Sequence, residues 1–355
     1  MCEILHEKHG NRFKKLPVEE AVGTVLAHDI TEIRPGEFKG RAFKKGHVIR
    51  QEDVCYLQRL GKEHLFIVDI AGDEMHEDDA AHVLANALMG EGVKIKGEAI
   101  EGKISIVAEI DGLLKINTDE LLAFNMLGDA MCATLHNNIL VRKGQTVAGT
   151  RVIPLIVKKD ILDAALRISR RTGKIVRVKK IRKPKAGVVI VGSEVYTGRV
   201  KDAFSSVITR KIKAFGGEIV GTFYAPDDES FIGARLRELL RKGADLLIAT
   251  GGLSVDPDDV TRFAISNLGA TDITYGSPVL PGAMFLVAYL EDHPPIPILG
   301  VPACGMYDET TIFDLVLPRV LAGEKIGRKE LAELGHGGLC MKCERCNYPV
   351  CPFGK

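Results

Sequence analysis

Two stretches of this sequence carry more potential ligands than folding alone requires. In the first, Thr250-Gly251-Gly252-Leu253-Ser254 is followed by Asp256-Pro257-Asp258-Asp259. Bare glycine backbone lets a ligand approach closely, and its N–H groups, with those of the next helix N-terminus, suit phosphate oxygens. Three carboxylates so close together repel one another unless they cap N–H groups, hold a cation or accept hydrogen bonds from a ligand. One Asp suffices as an N-cap with Pro257 at the first helical position, which leaves at least one carboxylate free. A second group, Gly192-Ser193-Glu194 with Gly198 and Asp202, offers two more carboxylates and a hydroxyl. A Gly-Gly turn or a lone Glu would say little; together they describe the mouth of a crevice.

The second stretch is the tail, Cys340-x2-Cys343-x2-Cys346-x4-Cys351-Pro352. Three closely spaced thiolates and a fourth before proline come near the ferredoxin-like spacing that ligates a [4Fe-4S] cluster, with x4 in place of x3. Zn²⁺ is the competing metal, but structural zinc sites usually separate two Cys-x-x-Cys knuckles by a longer loop. A metal-free, disordered and redox-reactive tail is the bland alternative. Cys2, Cys55, Cys132 and Cys304 are scattered and read as reduced thiols. His336 sits among glycines as a loop residue, and no His-Glu-x-x-His pattern occurs.

The elements that must position these residues follow from periodicity. From Lys185 onward strands and helices alternate. The apolar run Gly187–Val191 reads as a buried parallel strand, and Phe204, Ile208, Ile212 and Phe215 share one helical face ended by Gly216-Gly217. A strand over Glu218–Tyr224, a helix over Glu229–Lys242 and a strand over Asp245–Thr250 follow. A strand at Ile296–Val301 and a helix over Asp308–Leu321 complete the pattern. This predicts an α/β fold for the C-terminal half, three-layer and doubly wound around a mostly parallel sheet, with the loops after Val191, Tyr224, Thr250 and Val301 meeting at the strands' carboxyl ends.

The N-terminal region reads as β-rich α+β. Short strands and turns run to about residue 69, punctuated at Arg34-Pro35-Gly36, with a helix over Gln51–Leu60. Further on come a helix over Glu77–Met89, a hairpin over Lys103–Asn117 around Asp111-Gly112, a helix capped by Thr118, and a helix over Asp160–Arg170. The expected divisions are a small β-rich unit (1–70), an α+β region ending in a basic linker (71–182), the α/β domain (183–325) and the Cys-rich tail (326–355). Residues 158–185 hold twelve Lys and Arg against two Asp. Without interleaved aromatics, this reads as a solvated linker rather than a nucleic-acid surface.

Composition excludes little else. The chain has 355 residues, and 48 Lys plus Arg nearly cancel 47 Asp plus Glu, so net charge selects no partner. The beginning lacks a signal-peptide pattern, and the longest apolar run, Ala283–Leu290, is too short to span a bilayer. A cytoplasmic protein is expected.

VGSEVYTGRVKD at 191–202 and TGGLSVDPDDVT at 250–261, with Pro226-Asp227-Asp228 after the second strand, resemble the signature loops of the molybdopterin-binding domain. That domain is shared by molybdopterin adenylyltransferases and molybdopterin molybdenumtransferases, and the likeness covers roughly Lys185 to Gly323. It implies a phosphorylated pterin dithiolene as ligand in molybdenum or tungsten cofactor biosynthesis. By the resemblance Gly251, Gly252 and Ser254 face the phosphate or dithiolene end. Glu194, Asp228 and Asp259 are the catalytic candidates, carboxylates that orient pterin or metal, and Gly192, Ser193, Asp202 and Thr250 complete the binding set. Hard oxygen ligands also suit Mg²⁺, and molybdate or tungstate would be a co-substrate. The sequence departs from the family where Asp256 replaces a usual Gly and where Gly300-Val-Pro-Ala-Cys304-Gly305 replaces a Pro-Gly-Asn-Pro-like turn. Residues 27–43 resemble the start of molybdenumtransferases but lack their Ser-x-Met-Asp-Gly-Tyr-Ala-like motif. The implied activity is molybdenumtransferase-like; the alternative is a non-catalytic carrier or sensor with a metal-binding redox tail. A homodimer or a molybdoenzyme partner is expected from the resemblance alone.

Overall fold

The computed structural model describes residues 13–24, 26–34, 37–68, 72–171, 173–254 and 260–355. The turn expected at Pro35-Gly36 and the acidic run Asp256 to Asp259 lie outside them. The chain divides into two compact units. Residues 1–109, 116–135 and 144–177 form one, and residues 110–115, 136–143 and 178–355 form the other.

The second unit is built on a six-stranded sheet. Its strands are β1 (Lys185–Val191), β2 (Glu218–Ala225), β3 (Leu246–Thr250), β4 (Thr271–Tyr275), β5 (Leu286–Leu290) and β6 (Ile296–Val301). They lie in the order β2-β1-β3-β6-β5-β4. The first four are mutually parallel; β5 pairs antiparallel with β6, and β4, at the edge, antiparallel with β5. The helices are α1 (Phe204–Ala214), α2 (Glu229–Arg241), α3 (Thr261–Asn267) and α4 (Ile312–Leu321).

Why two layers of helix cover this sheet can be read along β1, where side chains alternate between faces. Ala186, Val188 and Ile190 join a core with Phe204, Ile208 and Ile212 of α1 and Ile312, Phe313 and Val316 of α4. Val189 and Val191 point the other way, into a core with Ile232, Leu236 and Leu239 of α2 and Ala264 and Ile265 of α3. Buried on both faces, such a strand must be a continuous apolar run. Burying each Leu or Ile stabilises the arrangement by roughly 1.5–3 kcal/mol.

Several expectations need correction. The edge strand β4 and its neighbour β5 are not among the expected elements, because neither shows a clean alternation. The last helix begins at Ile312 rather than near Asp308: Thr311 and Asp314 form a reciprocal capping box, with Phe313 N–H donating to Thr311 Oγ1 (3.2 Å) and Thr311 N–H to Asp314 Oδ2 (2.8 Å). A short 3-10 turn, Ala303–Met306, precedes it.

In the first unit an antiparallel sheet, Val93–Ile100, Lys103–Ala108, Thr146–Val152 and Ala130–Thr134 in that spatial order, packs with a helix over Glu77–Leu88. The hairpin expected around Asp111-Gly112 does not form. Lys103–Ala108 pairs back onto Val93–Ile100, while Gly112–Ile116 pairs with Leu140–Val141 and Val176–Lys179 in a separate sheet whose residues belong mostly to the second unit. The helix at Thr118 is capped by Asn117, whose side chain accepts from Glu120 N–H (3.2 Å), rather than by Thr118 itself. The basic stretch forms a helix, Lys159–Arg171, that buries Leu162, Ala165 and Ile168 beneath its charges, and then a strand. Among the described residues no helix is long and apolar enough to cross a membrane.

Candidate functional site

The carboxyl ends of β1, β3 and β6 open into a cavity of about 1080 Å³. A crevice at this position follows from topology, because the loops leave the parallel strands on one side of the sheet. Of the residues singled out in the sequence, Gly192, Glu194, Asp202, Gly251, Gly252 and Ser254 line it.

The Gly-Gly turn has a steric reason. Gly251 has φ +81° and Gly252 φ +59°, in the left-handed region that side chains disfavour. A Cβ on Gly251 would also run into the carbonyl of Val191, and one on Gly252 into the hydroxyl of Thr261. Thr261 fastens the turn from below, its Oγ1 donating to Gly251 O (2.9 Å) and its N–H to Gly252 O (3.1 Å). Thr250 is fully buried behind the wall, and its hydroxyl has no partner among the described residues.

The carboxylates divide by what already engages them. Asp202 accepts from Phe204 N–H (2.7 Å), Ser205 N–H (3.2 Å) and the Tyr224 hydroxyl (3.0 Å), so it caps α1 while its edge faces the cavity. Burial, with the bond to Asp202, raises the Tyr224 phenol above its ordinary range. Asp228 does not line the cavity. It is the N-cap of α2, accepting from the Ser230 hydroxyl (2.6 Å) and Phe231 N–H (2.7 Å), and those bonds hold its carboxyl below the usual carboxylate range. Its neighbour Asp227 takes the place at the wall, accepting from Ser193 N–H (2.9 Å) while Ser193 Oγ accepts from Asp227 N–H (3.3 Å). Ser193 thus ties two loops together without lining the cavity itself. Glu194 and Asp308 have no hydrogen bond to their carboxylates among the described residues and are the wall carboxylates open to a ligand. Asp259 lies outside the described residues.

Other wall residues were not expected as ligands. Lys201 and Lys342 bring ammonium groups to a lining that otherwise carries Glu194, Asp202, Asp227 and Asp308. Cys304 also faces the cavity, and burial followed by Asp308 pushes its thiol up. Gly282 arrives on the loop between β4 and β5. Lys201 and Cys304 lie on loops expected at the crevice, but no local pattern marks Gly282 or Lys342, because a loop between unforeseen strands and a tail far downstream meet the crevice only in three dimensions.

The tail is ordered by packing rather than by secondary structure. Phe353 is 4% exposed within the α1/α4-side core, meets Tyr348 edge to face at 6.5 Å, and Tyr348 donates to Asp314 O (3.4 Å). Cys340 N–H donates to Leu280 O (2.8 Å). The disordered alternative is therefore set aside. Cys340, Cys343, Cys346 and Cys351 are free thiols bordering a second cavity of about 240 Å³. Among the described residues no three His, Cys, Asp or Glu side chains converge as a single metal ion would require, in the crevice or in the tail.

Comparison with known proteins now bears on the crevice. Residues 187–322 match the probable molybdopterin binding domain. This match takes in β1 from Gly187, β2 to β6 and the loops that follow these strands at the crevice, and the tail follows it in sequence. Residues 6–69 match a domain of unknown function. A CinA-like protein of Fervidobacterium nodosum is 36% identical over 83 residues, 23% of this chain and 20% of the relative. One of Mycobacterium avium is 39% identical over 77 residues, 22% of this chain and 18% of the relative. The chain therefore spans about a fifth of the length of these relatives. Among solved structures, CinA of Thermoplasma acidophilum aligns with a TM-score of 0.35 at 17% identity, covering 39% of this chain and 98% of that one. MoaB of Thermus thermophilus, described as a molybdopterin biosynthesis enzyme, gives 0.33 at 20% identity over 40% and 98%. The tungsten cofactor synthesizing protein MoaB of Pyrococcus furiosus gives 0.34 at 17% identity over 41% and 100%.

Proposed function

We propose that the crevice binds molybdopterin, the phosphorylated pterin dithiolene, as a step of molybdenum or tungsten cofactor biosynthesis. The observation that carries this reading is the meeting, inside the matched domain, of the Gly251-Gly252 turn with Glu194 and Lys201 around one hollow, to which the tail adds the cation of Lys342.

Each part of the ligand finds a chemically suited group. The pterin's amino-oxo edge presents N–H donors, for which a carboxylate without other bonds is the natural acceptor, and Glu194 fills that role. The phosphate is dianionic and needs donors that do not crowd it. Bare amides at Gly251 and Gly252, with Ser254, allow close approach, and Lys201 or Lys342 supplies the counter-charge. Asp202 and Asp227 are committed mainly to holding α1 and the Ser193 loop, so they shape the wall and contribute remaining lone pairs. At about 1080 Å³ the hollow is at the upper end of the size common for small-molecule sites, which leaves space for an oxyanion such as molybdate or tungstate beside the pterin. Carboxylates at the wall would suit Mg²⁺ accompanying such a co-substrate.

Binding separates from transfer by experiment. The purified full-length chain, titrated with molybdopterin under anaerobic conditions, binds it saturably, and Glu194→Gln weakens binding by about tenfold or more, the loss expected for one charge-assisted hydrogen bond. Absence of binding by the folded chain would defeat the reading. Molybdate- or tungstate-dependent conversion of the bound pterin would identify a molybdenumtransferase-like enzyme, and tight binding without turnover a carrier.

A further inference from the structure

The tail's four cysteines are separated in the sequence by at most four residues, yet what brings them around one hollow is their anchoring to the core. Phe353 and Tyr348 pin the chain on either side of Cys351, and the Cys340–Leu280 backbone bond pins the other end. Between these anchors all four thiols border the cavity of about 240 Å³. The first knuckle is already curled for chelation. Lys342 adopts φ +50°, and its N–H points at Cys340 Sγ (3.5 Å), as in a turn that folds Cys343 back toward Cys340. Thr310 contributes a hydroxyl 3.4 Å from Cys346 Sγ. Polar donors aimed at sulfur are what a thiolate bound to metal requires, since they offset its residual charge.

The spacing separates the candidate occupants: Cys-x2-Cys-x2-Cys followed by a fourth Cys before proline comes near the cluster-binding run, whereas structural zinc sites usually set two Cys-x-x-Cys knuckles apart by a longer loop. All four of these cysteines border the one hollow. We propose that Cys340, Cys343, Cys346 and Cys351 ligate a [4Fe-4S] cluster in this space. The site does not depend on what the crevice binds, so either assignment can fail alone. It lies next to the crevice: Cys340 and Lys342 border both hollows, which puts the cluster's first ligand in the crevice wall.

The test uses the full-length chain purified anaerobically, assayed for iron, zinc and acid-labile sulfide, and then reconstituted with ferrous iron and sulfide. The expected result is about four iron and four sulfide per chain, with a visible absorption that bleaches on reduction. Cys343→Ser and Cys346→Ser each lose most of the iron and sulfide, while Cys55→Ser, at an exposed position in the other unit, retains both. Circular dichroism of each variant confirms that the sheet domain remains folded, and the wild-type stoichiometry stands whatever the variants do. One zinc per chain without sulfide would overturn the cluster assignment in favour of a mononuclear ion. A folded chain that takes up neither metal, with its four tail thiols freely titratable, would overturn the site altogether.

Discussion

The crevice and the cysteine tail place their reactive groups by opposite means. At the crevice, the loops hang from parallel strands of one sheet, of which β1 is buried from Ala186 to Val191 and β3 throughout. Glu194, Asp227 and the Gly251-Gly252 turn are thereby positioned by β1, β2 and β3. In the tail, from Leu339 to Lys355, no helix or strand occurs, and position comes from a few aromatic and backbone anchors. A site on regular elements is held more precisely than one on loops and a few anchors. The difference predicts that damage to the tail's anchors removes the tail's own site first and reaches the crevice only through the shared wall residues Cys340 and Lys342.

The largest effect is expected from Phe353→Ala. Removing a buried phenyl ring costs about 3–5 kcal/mol of packing. Because the ring plugs the tail into the rim of the α1/α4-side core, the loss should appear first as proteolytic cleavage within 340–355 and as loss of bound iron, with the sheet domain less stable but still folded by circular dichroism. Unfolding of the whole domain by this substitution would show that the tail is integral to the core.

Gly251→Ala is the converse. Both the φ of +81° and the Val191 carbonyl oppose a methyl group there, a strain of about 1–3 kcal/mol that the turn must relieve by moving. Molybdopterin affinity should fall by tens-fold while the tail's iron content stays unchanged. Retained affinity would mean that the turn does not meet the ligand. A smaller loss, about tenfold, is expected from Lys201→Met if its ammonium meets the phosphate, and salt should weaken wild-type binding in parallel.

The smallest effect concerns Asp228. Its folded carboxyl is held below 3.8 by the Ser230 hydroxyl and the Phe231 amide, so its contribution to stability is present above that value and fades as pH falls through the depressed one. Asp228→Asn should keep pterin affinity near wild type and flatten the decline of Tm on acidification. A large loss of affinity would return Asp228 to the site, in place of its role as a helix cap.

How much of this was legible in the sequence follows the same division. The buried strands announced themselves as apolar runs and the helices as 3.6-residue stripes, so the crevice's location at the ends of β1 and β3 was readable. Which of two adjacent carboxylates, Asp227 or Asp228, faces inward was not, because that depends on which one the α2 amides claim. β4 and β5, and with them the Gly282 loop, were missed: Leu286–Leu290 is a short apolar run with no alternation, and Thr271–Tyr275 alternates too weakly to betray a strand. The metal-ligand spacing of the tail was visible; its anchoring was not, since Phe353 and Tyr348 gain meaning only against Leu315 and its neighbours in the core. Gly112 misled because a glycine that admits a close backbone neighbour, here the Lys179 carbonyl, looks in sequence like a glycine that makes a turn.

The most direct measurement is an anaerobic titration of the full-length chain with molybdopterin, run side by side on wild type, Glu194→Gln and Gly251→Ala. The account predicts one saturable site per chain in the wild type, with affinity reduced in both variants. Pterin binding indifferent to both substitutions would contradict it.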